Sequence, residues 1–348
     1  MSSPLLDLAA YVGQRSATFR FQLVDGPTGE NLGEIHPLRN SPPVLSHDTA
    51  RTIKRDLSLS LGVEDSARIN VIRDRVVVSM ILGGVTYPLG RFLFADDTGN
   101  KKSSGVLRSE KLIDEMFVID QKMERGFTAT QTVDQSIITL LVDVPNLVLD
   151  IEASGLQATG SWAAGTSRAK VLGDLCTQGG YFSPWFDNNN VLRIIRSFDP
   201  ADKIPTFDFD TGKSVIRDSI AETNDLLDAP NKFIVISNAS TGANASVAAV
   251  GTYVVPNSAP HSIINRGFVI PDVRDMQLTG QNQAQIVAQT IGITNTVFER
   301  TQLATAPDPR HDSYDVIQWD GEKWLELSWS MTLLEGSPMQ HLMRKTYS

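Results

Sequence analysis

The segment Asp210-Thr-Gly-Lys-Ser214 has the ending of a phosphate-binding loop. Such a loop needs a second glycine five residues before Gly212, so that backbone amides can wrap a phosphate. That position is Phe207, so the segment reads as a turn. The five histidines are His36, His47, His261, His311 and His341. No two stand at metal-ligand spacing, and there is no His-Glu-x-x-His. A metal could be held only by residues that folding gathers from distant segments, and the sequence assigns no ligand. Cys176 is the single cysteine, which excludes an internal disulfide and a cysteine-rich zinc site. It falls on the apolar side of a predicted helix near Leu172 and reads as a buried, inert thiol. There is no Gly-x-Ser-x-Gly elbow. Nothing selects a catalytic pair from the 40 acidic residues. No catalytic residue and no cofactor is therefore assigned.

Charge excludes more. Lys and Arg total 31 against 40 acids, a net charge of −9, which is a poor basis for gripping a phosphate backbone. The dense basic spots, Lys101-Lys102 and Arg51 with Lys54 and Arg55, read as solvated charge. No run approaches the ~20 apolar residues of a membrane span. The opening Met1-Ser-Ser-Pro-Leu-Leu-Asp7 has no basic region, so no secretory signal is expected, and folding in a cytoplasm is. Asn238-Ala-Ser240 and Asn244-Ala-Ser246 match a glycosylation pattern but then read as loop. At 348 residues, 41% of them hydrophobic, the chain should fold as two or three domains.

The elements that must carry these residues are mostly strands. Phe19, Phe21 and Leu23 alternate with Thr18, Arg20 and Gln22, the period of a half-buried strand. Leu57, Leu59 and Leu61 alternate with serines. Arg75 to Leu82 and Val85 to Ala95 read as strands around Gly83-Gly84, with Pro88 marking an edge or a bulge. Asp134 to Val144 changes to a helical period. Ser167 to Gln178 is a second helix, capped by Thr166 or Ser167 and ended by Gly179-Gly180. Tyr181 to Arg196 reads as a hairpin. Helices are also expected near Ser214 to Leu227 and from Gln281 to about Leu303, although Gly292 weakens the latter by roughly 1 kcal/mol relative to Ala. Lys232 to Ser237 and Ser246 to Val255 read as strands.

Asp320-Gly321, flanked by Tyr314 to Trp319 and Glu322 to Leu327, is a strong hairpin signal. A two-residue turn pairs Trp319 with Glu322, Ile317 with Trp324, Val316 with Leu325 and Tyr314 with Leu327. It also sets Asp315 opposite Glu326, a mildly unfavourable pair in isolation. The two acids either mark a face that meets a partner or are simply solvated. Leu325, Leu327, Trp329, Met331 and Leu333 continue as an alternating run.

Three segments carry a resemblance. Ser66 to Phe92 contains Asp74-Arg75 leading through a turn to Tyr87-Pro-Leu-Gly-Arg-Phe92. Trp162-Ala-Ala-Gly-Thr-Ser-Arg-Ala-Lys-Val-Leu-Gly-Asp-Leu175 is followed by Gly180-Tyr-Phe-Ser-Pro-Trp-Phe-Asp187. Ala306-Pro-Asp-Pro-Arg-His-Asp312 precedes the hairpin. In this order, across about Thr18 to Arg344, they resemble minor tail proteins of long-tailed bacteriophages, particularly those infecting actinobacteria.

The resemblance implies a mainly β fold with α+β insertions. Two barrel-like tube domains of the tail-hub type would occupy 1–129 and 199–348, with an α+β module at 130–198 between them. It implies a structural, non-catalytic tail-tip (baseplate) hub. Three copies would form a pseudo-sixfold ring on the distal tail protein, with the tape measure protein in the lumen and downstream tip or receptor-binding proteins below. Phage DNA would pass without specific binding, and acidic residues lining the pore would repel it. The protein would be assembled in the host cytoplasm and reside in the virion tail. The candidate interface residues are Arg91, Phe92, Arg310, His311, Asp312, Trp319 and Trp324. The competing readings are a host-surface carbohydrate-binding module, using Trp319 and Trp324 as stacking platforms, and a cell-wall hydrolase.

Overall fold

In the computed structural model, residues 17–102, 105–210, 215–216, 222–237 and 249–347 are described. The chain opens with strands β1 (Thr18–Asp25), β2 (Asn31–Ile35), β3 (Val44–Asp48) and β4 (Arg55–Leu61). A short helix α1 (Val63–Arg68) leads to β5 (Asp74–Leu82), β6 (Val85–Lys102) and β7 (Gly105–Asp114). The alternating patterns appear as expected, with Phe21, Leu23, Leu57, Leu59, Leu61, Val76, Val78 and Met80 buried. Pro88 sits at a bulge. Val78 faces Gly90 and Ser79 faces Pro88, which leaves Leu89 as the extra residue.

A helical segment follows: α2 (Met116–Ile119), β8 (Phe127–Thr128), α3 (Val133–Leu141), β9 (Val148–Ile151), β10 (Ser161–Trp162) and α4 (Arg168–Gly179). Ser167 caps α4 by accepting from the Lys170 amide, and Gly180 ends it at φ +69°. β11 (Trp185–Phe186) and β12 (Val191–Ile194) form the expected hairpin, and β12 also pairs in parallel with β9. Residues from Met116 to Ile194 share one apolar cluster built on α2, α3 and α4.

The last third holds β13 (Phe207–Asp208), β14 (Val215–Ile216), β15 (Glu222–Asn224), β16 (Lys232–Ser237) and β17 (Ala249–Val254). Then come α5 (Ile263–Arg266), β18 (Pro271–Met276), α6 (Gln281–Asn295), β19 (Glu299–Thr305), β20 (Val316–Trp319), β21 (Glu322–Thr332) and β22 (Met339–Lys345). β17, β16 and β18 form a small separate sheet that packs on α6.

The expectation of two barrels is overturned. The described strands include one 14-stranded sheet whose main path runs β14-β19-β22-β21-β3-β4-β7-β6-β5-β1-β2. Its ends, β14 and β2, do not pair with each other, so the sheet stays open. Closing a barrel at each end of the chain would require each set of strands to meet itself. Instead the free edge of β3 is taken by β21, with Asp48 facing Ser328, His47 facing Trp329 and Leu45 facing Met331. The leading strands and Trp329, Met331, Leu333 and Met339 consequently share one core.

Two helical expectations also change. Near 214–227 the described residues form β14 and β15, both paired with β19. The open edge of β19 supplies backbone partners that a local helical period does not anticipate. The helix from Gln281 ends at Asn295 rather than near 303, because Glu299–Thr305 is claimed by β22. Residues 211–214, both Asn-x-Ser sites and the side chains of Lys101 and Lys102 lie outside the described residues. No helix among the described residues is long and apolar enough to cross a membrane.

Candidate functional site: a buried polar junction

The Asp320-Gly321 turn delivers the expected register: Trp319 faces Glu322, Ile317 faces Trp324 and Val316 faces Leu325. The ladder stops at Val316, since Tyr314 has a positive φ of 64° and leaves the strand. Glu326 still donates its amide to the Asp315 carbonyl. The acids at 315 and 326 are not solvated. Glu326 is 1% exposed and lies between two histidines. His311 Nδ1 is 3.0 Å from Glu326 Oε2, and His341 Nδ1 is 2.5 Å from Oε1. Burial works against charge on Glu326, but His311 and His341 outweigh it and hold the carboxyl down at about 2. Burial lifts Asp315 to about 8, with His311 resisting and Glu326 adding. His311 stacks on Phe207 at 3.8 Å between ring centres, and burial is outweighed there by Glu326, so its imidazole is raised.

The loop from Ala306 to Asp315 organises this region. Asp308 receives the Arg310 amide at 2.9 Å and the guanidinium at 2.6 Å, and the guanidinium lies over Phe207. Asn188, in the turn between β11 and β12, donates to the carbonyls of Pro309 and His311 at 2.9 and 3.1 Å. Trp185 Nε1 donates to Asp312 Oδ1 at 2.8 Å. Burial raises Asp312 to about 6 against the opposing charge of Arg55.

Lys54 and Arg55, read from sequence as solvated charge, are among the most deeply buried side chains. Arg55 donates to Asn188 Oδ1 at 2.6 Å and to the Leu89 carbonyl at 2.7 Å. Its guanidinium lies between the rings of Phe92 and Trp329. The backbone amide of Arg55 donates to Asp114 Oδ2, and burial raises Asp114 to about 6. Lys54 Nζ donates to the carbonyls of Thr49 and Arg51 and to Ser183 Oγ, and burial lowers it to about 8. His47 lies 2.7 Å from Ser313 Oγ and stacks on Trp329. One continuous polar network thus ties β3 and β4 to the β11–β12 turn and to the 306–315 loop. A charge taken out of water survives only with such partners.

The candidate interface residues divide. Arg310, His311 and Asp312 share the loop. Phe92 meets the same junction through Arg55, while Arg91 pairs with Glu115 and donates to the Gly26 carbonyl. Trp319 and Trp324 pack 6.0 Å apart in a core with Phe207, Phe209, Leu303, Ile317 and Met343, at 6% and 3% exposure. Neither offers an open ring face on this chain for a sugar. Cys176 is buried, and burial pushes its thiol up. Most of the junction is buried, and its polar groups hold charge away from water. Among the described residues, His311, Glu326 and His341 form a cluster that could hold a cation.

No family model matches the chain, and no curated protein matches it. Solved structures do. The 43 kDa tail protein of prophage MuSo2 from Shewanella oneidensis is 14% identical with a TM-score of 0.61. A tail protein from Neisseria meningitidis MC58 is 10% identical at 0.63, and prophage tail protein gp18 from Listeria monocytogenes EGD-e is 9% identical at 0.63. Each alignment covers 94% of this chain and 98%, 96% and 95% of the respective partner. The chain shares the fold of these three tail proteins. The shared fold spans nearly all of both chains.

Proposed function

We propose that the chain is a structural subunit of a bacteriophage tail tip, acting as a baseplate hub and not as a catalyst. The observation that carries this reading is the likeness to three tail proteins over 94% of the chain. The ordered motifs in the sequence support the same reading, and they alone support a likeness to the actinobacteriophage type. In the finer form of the proposal, three copies make a pseudo-sixfold ring between the distal tail protein and the tip or receptor-binding proteins. The tape measure protein ends in its lumen, and DNA passes without specific binding. Assembly takes place in the host cytoplasm. The excess of 40 acids over 31 bases suits a lumen that repels phosphate. Among the candidate interface residues, Arg310 is exposed and is the one we place against a neighbouring copy. We also propose that 130–198 is a separable module between the flanking β-rich parts.

The test is the mass and shape of the purified chain, by light scattering and electron microscopy, beside images of tail tips labelled with an antibody to it. Three-copy rings and labelled tips are expected. A chain that stays single at high concentration, with unlabelled tips, overturns the proposal. The burial of Trp319 and Trp324 leaves the sugar-binding reading without its platform.

A further inference from the structure

Glu326 is approached by imidazoles from two distant segments, His311 in the loop and His341 on β22, and their donor atoms lie within 4.8 Å of one another. Asp315 lies beside this trio, its Oδ2 3.8 Å from His311 Nδ1, and would have to move in to serve as a fourth donor. Ligand atoms bonded at about 2.0–2.2 Å around a tetrahedral ion are roughly 3.3–3.6 Å apart. The His311–Asp315 spacing is close to this already. The Glu326 carboxylate would have to draw back from His341 by about 1 Å to admit an ion between them, a side-chain adjustment.

We propose that His311, His341, Glu326 and Asp315 form a binding site for one divalent cation of the zinc class. The donor set is two imidazole nitrogens and two carboxylate oxygens, which suits zinc and disfavours calcium or magnesium. Two carboxylates and a doubly charged ion sum to zero, the condition a buried site needs. Thr305 supplies an orienting partner. Its hydroxyl lies 2.8 Å from His341 Nε2 and 3.0 Å from the Ala306 carbonyl. With its proton given to that carbonyl, the hydroxyl oxygen accepts from Nε2–H. In that tautomer the Nδ1 lone pair of His341 is free to bind an ion, which would take the place of the proton that Nδ1 otherwise shares with Glu326. The ion would fasten the 306–315 loop to β21 and β22. Since His311, Glu326 and His341 are no more than 2% exposed, it would enter as the chain folds. This inference does not rest on the proposed function.

The test uses the full chain expressed in zinc-supplemented medium, purified without chelator and analysed for metal. About one zinc per chain is expected, and refolding with Co²⁺ should give the visible absorption of a tetrahedral site. Thr305→Val should weaken zinc retention by about 10–100-fold against a competing chelator. His341→Gln should abolish it. If that variant does not fold, Asp315→Asn serves, with weaker retention expected. A folded wild-type chain that carries no zinc overturns the site, as does unchanged retention in whichever ligand variant folds.

Discussion

Arg55 donates to Asn188 across 133 residues of sequence, and Asn188 in turn holds the carbonyls of Pro309 and His311. One asparagine thereby connects the leading strands, the helical segment and the trailing loop. Asn188→Ala leaves a buried guanidinium short of an acceptor and two carbonyls short of donors. We expect a loss of about 3 kcal/mol or more in urea unfolding. Asn189→Ala, which removes no such bond, is the control.

Trp324 is core, with its indole donating to the Trp319 carbonyl at 3.0 Å. Trp324→Ala should cost about 3–5 kcal/mol and lower the melting temperature. Trp324→Phe, which keeps most of the volume, should recover part of that loss.

Asp114 and Asp312 should each make stability fall as pH rises through the weakly acidic range, against the opposite contributions of His47, His261 and His341, whose imidazoles burial lowers. Asp114 and Asp312 both have carboxyls raised to about 6 by burial. Between about pH 4 and pH 6 the folded chain keeps protons that the unfolded chain has released, so folding is favoured at the acid end and loses ground towards the upper end. Each group contributes on the order of 3 kcal/mol across that window. Asp312→Asn should remove its share, so that melting curves of the variant lose less stability, or gain more, than wild type as pH rises from about 4 to 6. Glu326 has the opposite sign. Its depressed carboxyl contributes stability above about pH 4.5 that is lost as pH falls towards 2.

Two glycines mark where α6 meets β17. A Cβ on Gly251 would lie 1.9 Å from the Ala284 carbonyl oxygen, and one on Gly292 would lie 2.1 Å from the Tyr253 ring. Gly292→Ala gains roughly 1 kcal/mol of helix propensity yet should destabilise, because the ring must move. Gly251→Ala should destabilise more, since backbone cannot turn aside. Thermal melts of the two variants check the order.

Much of the fold was legible because its strands keep a strict period of two, and the Asp320-Gly321 turn set its register unaided. The junction was less so, for different reasons at different residues. Arg55 shares the parity of Leu57, Leu59 and Leu61, and His341 that of Met339 and Met343, so their burial was readable from alternation. Charge was given too much weight at Arg55. Glu326 was hidden by a bulge. Alternation groups it with Ser328 and Ser330, but the register against β22 shifts between Glu326 and Ser328. Glu326 therefore shares a face with Trp329 and Met331. The joining of β3 to β21 was beyond reach, because no local pattern says which distant edge a strand will accept.

That pairing has a bearing on how the protein is made. Thr49 bonds to the Leu327 carbonyl, 278 residues further along. At about 5–20 residues per second, a ribosome takes on the order of 15 seconds to a minute to supply the second after the first. During that interval the edge of β3 has no mate and is open to adhesion with other chains. A truncated product would carry the same bare edge permanently. The β3 edge is therefore covered only once translation has passed β21.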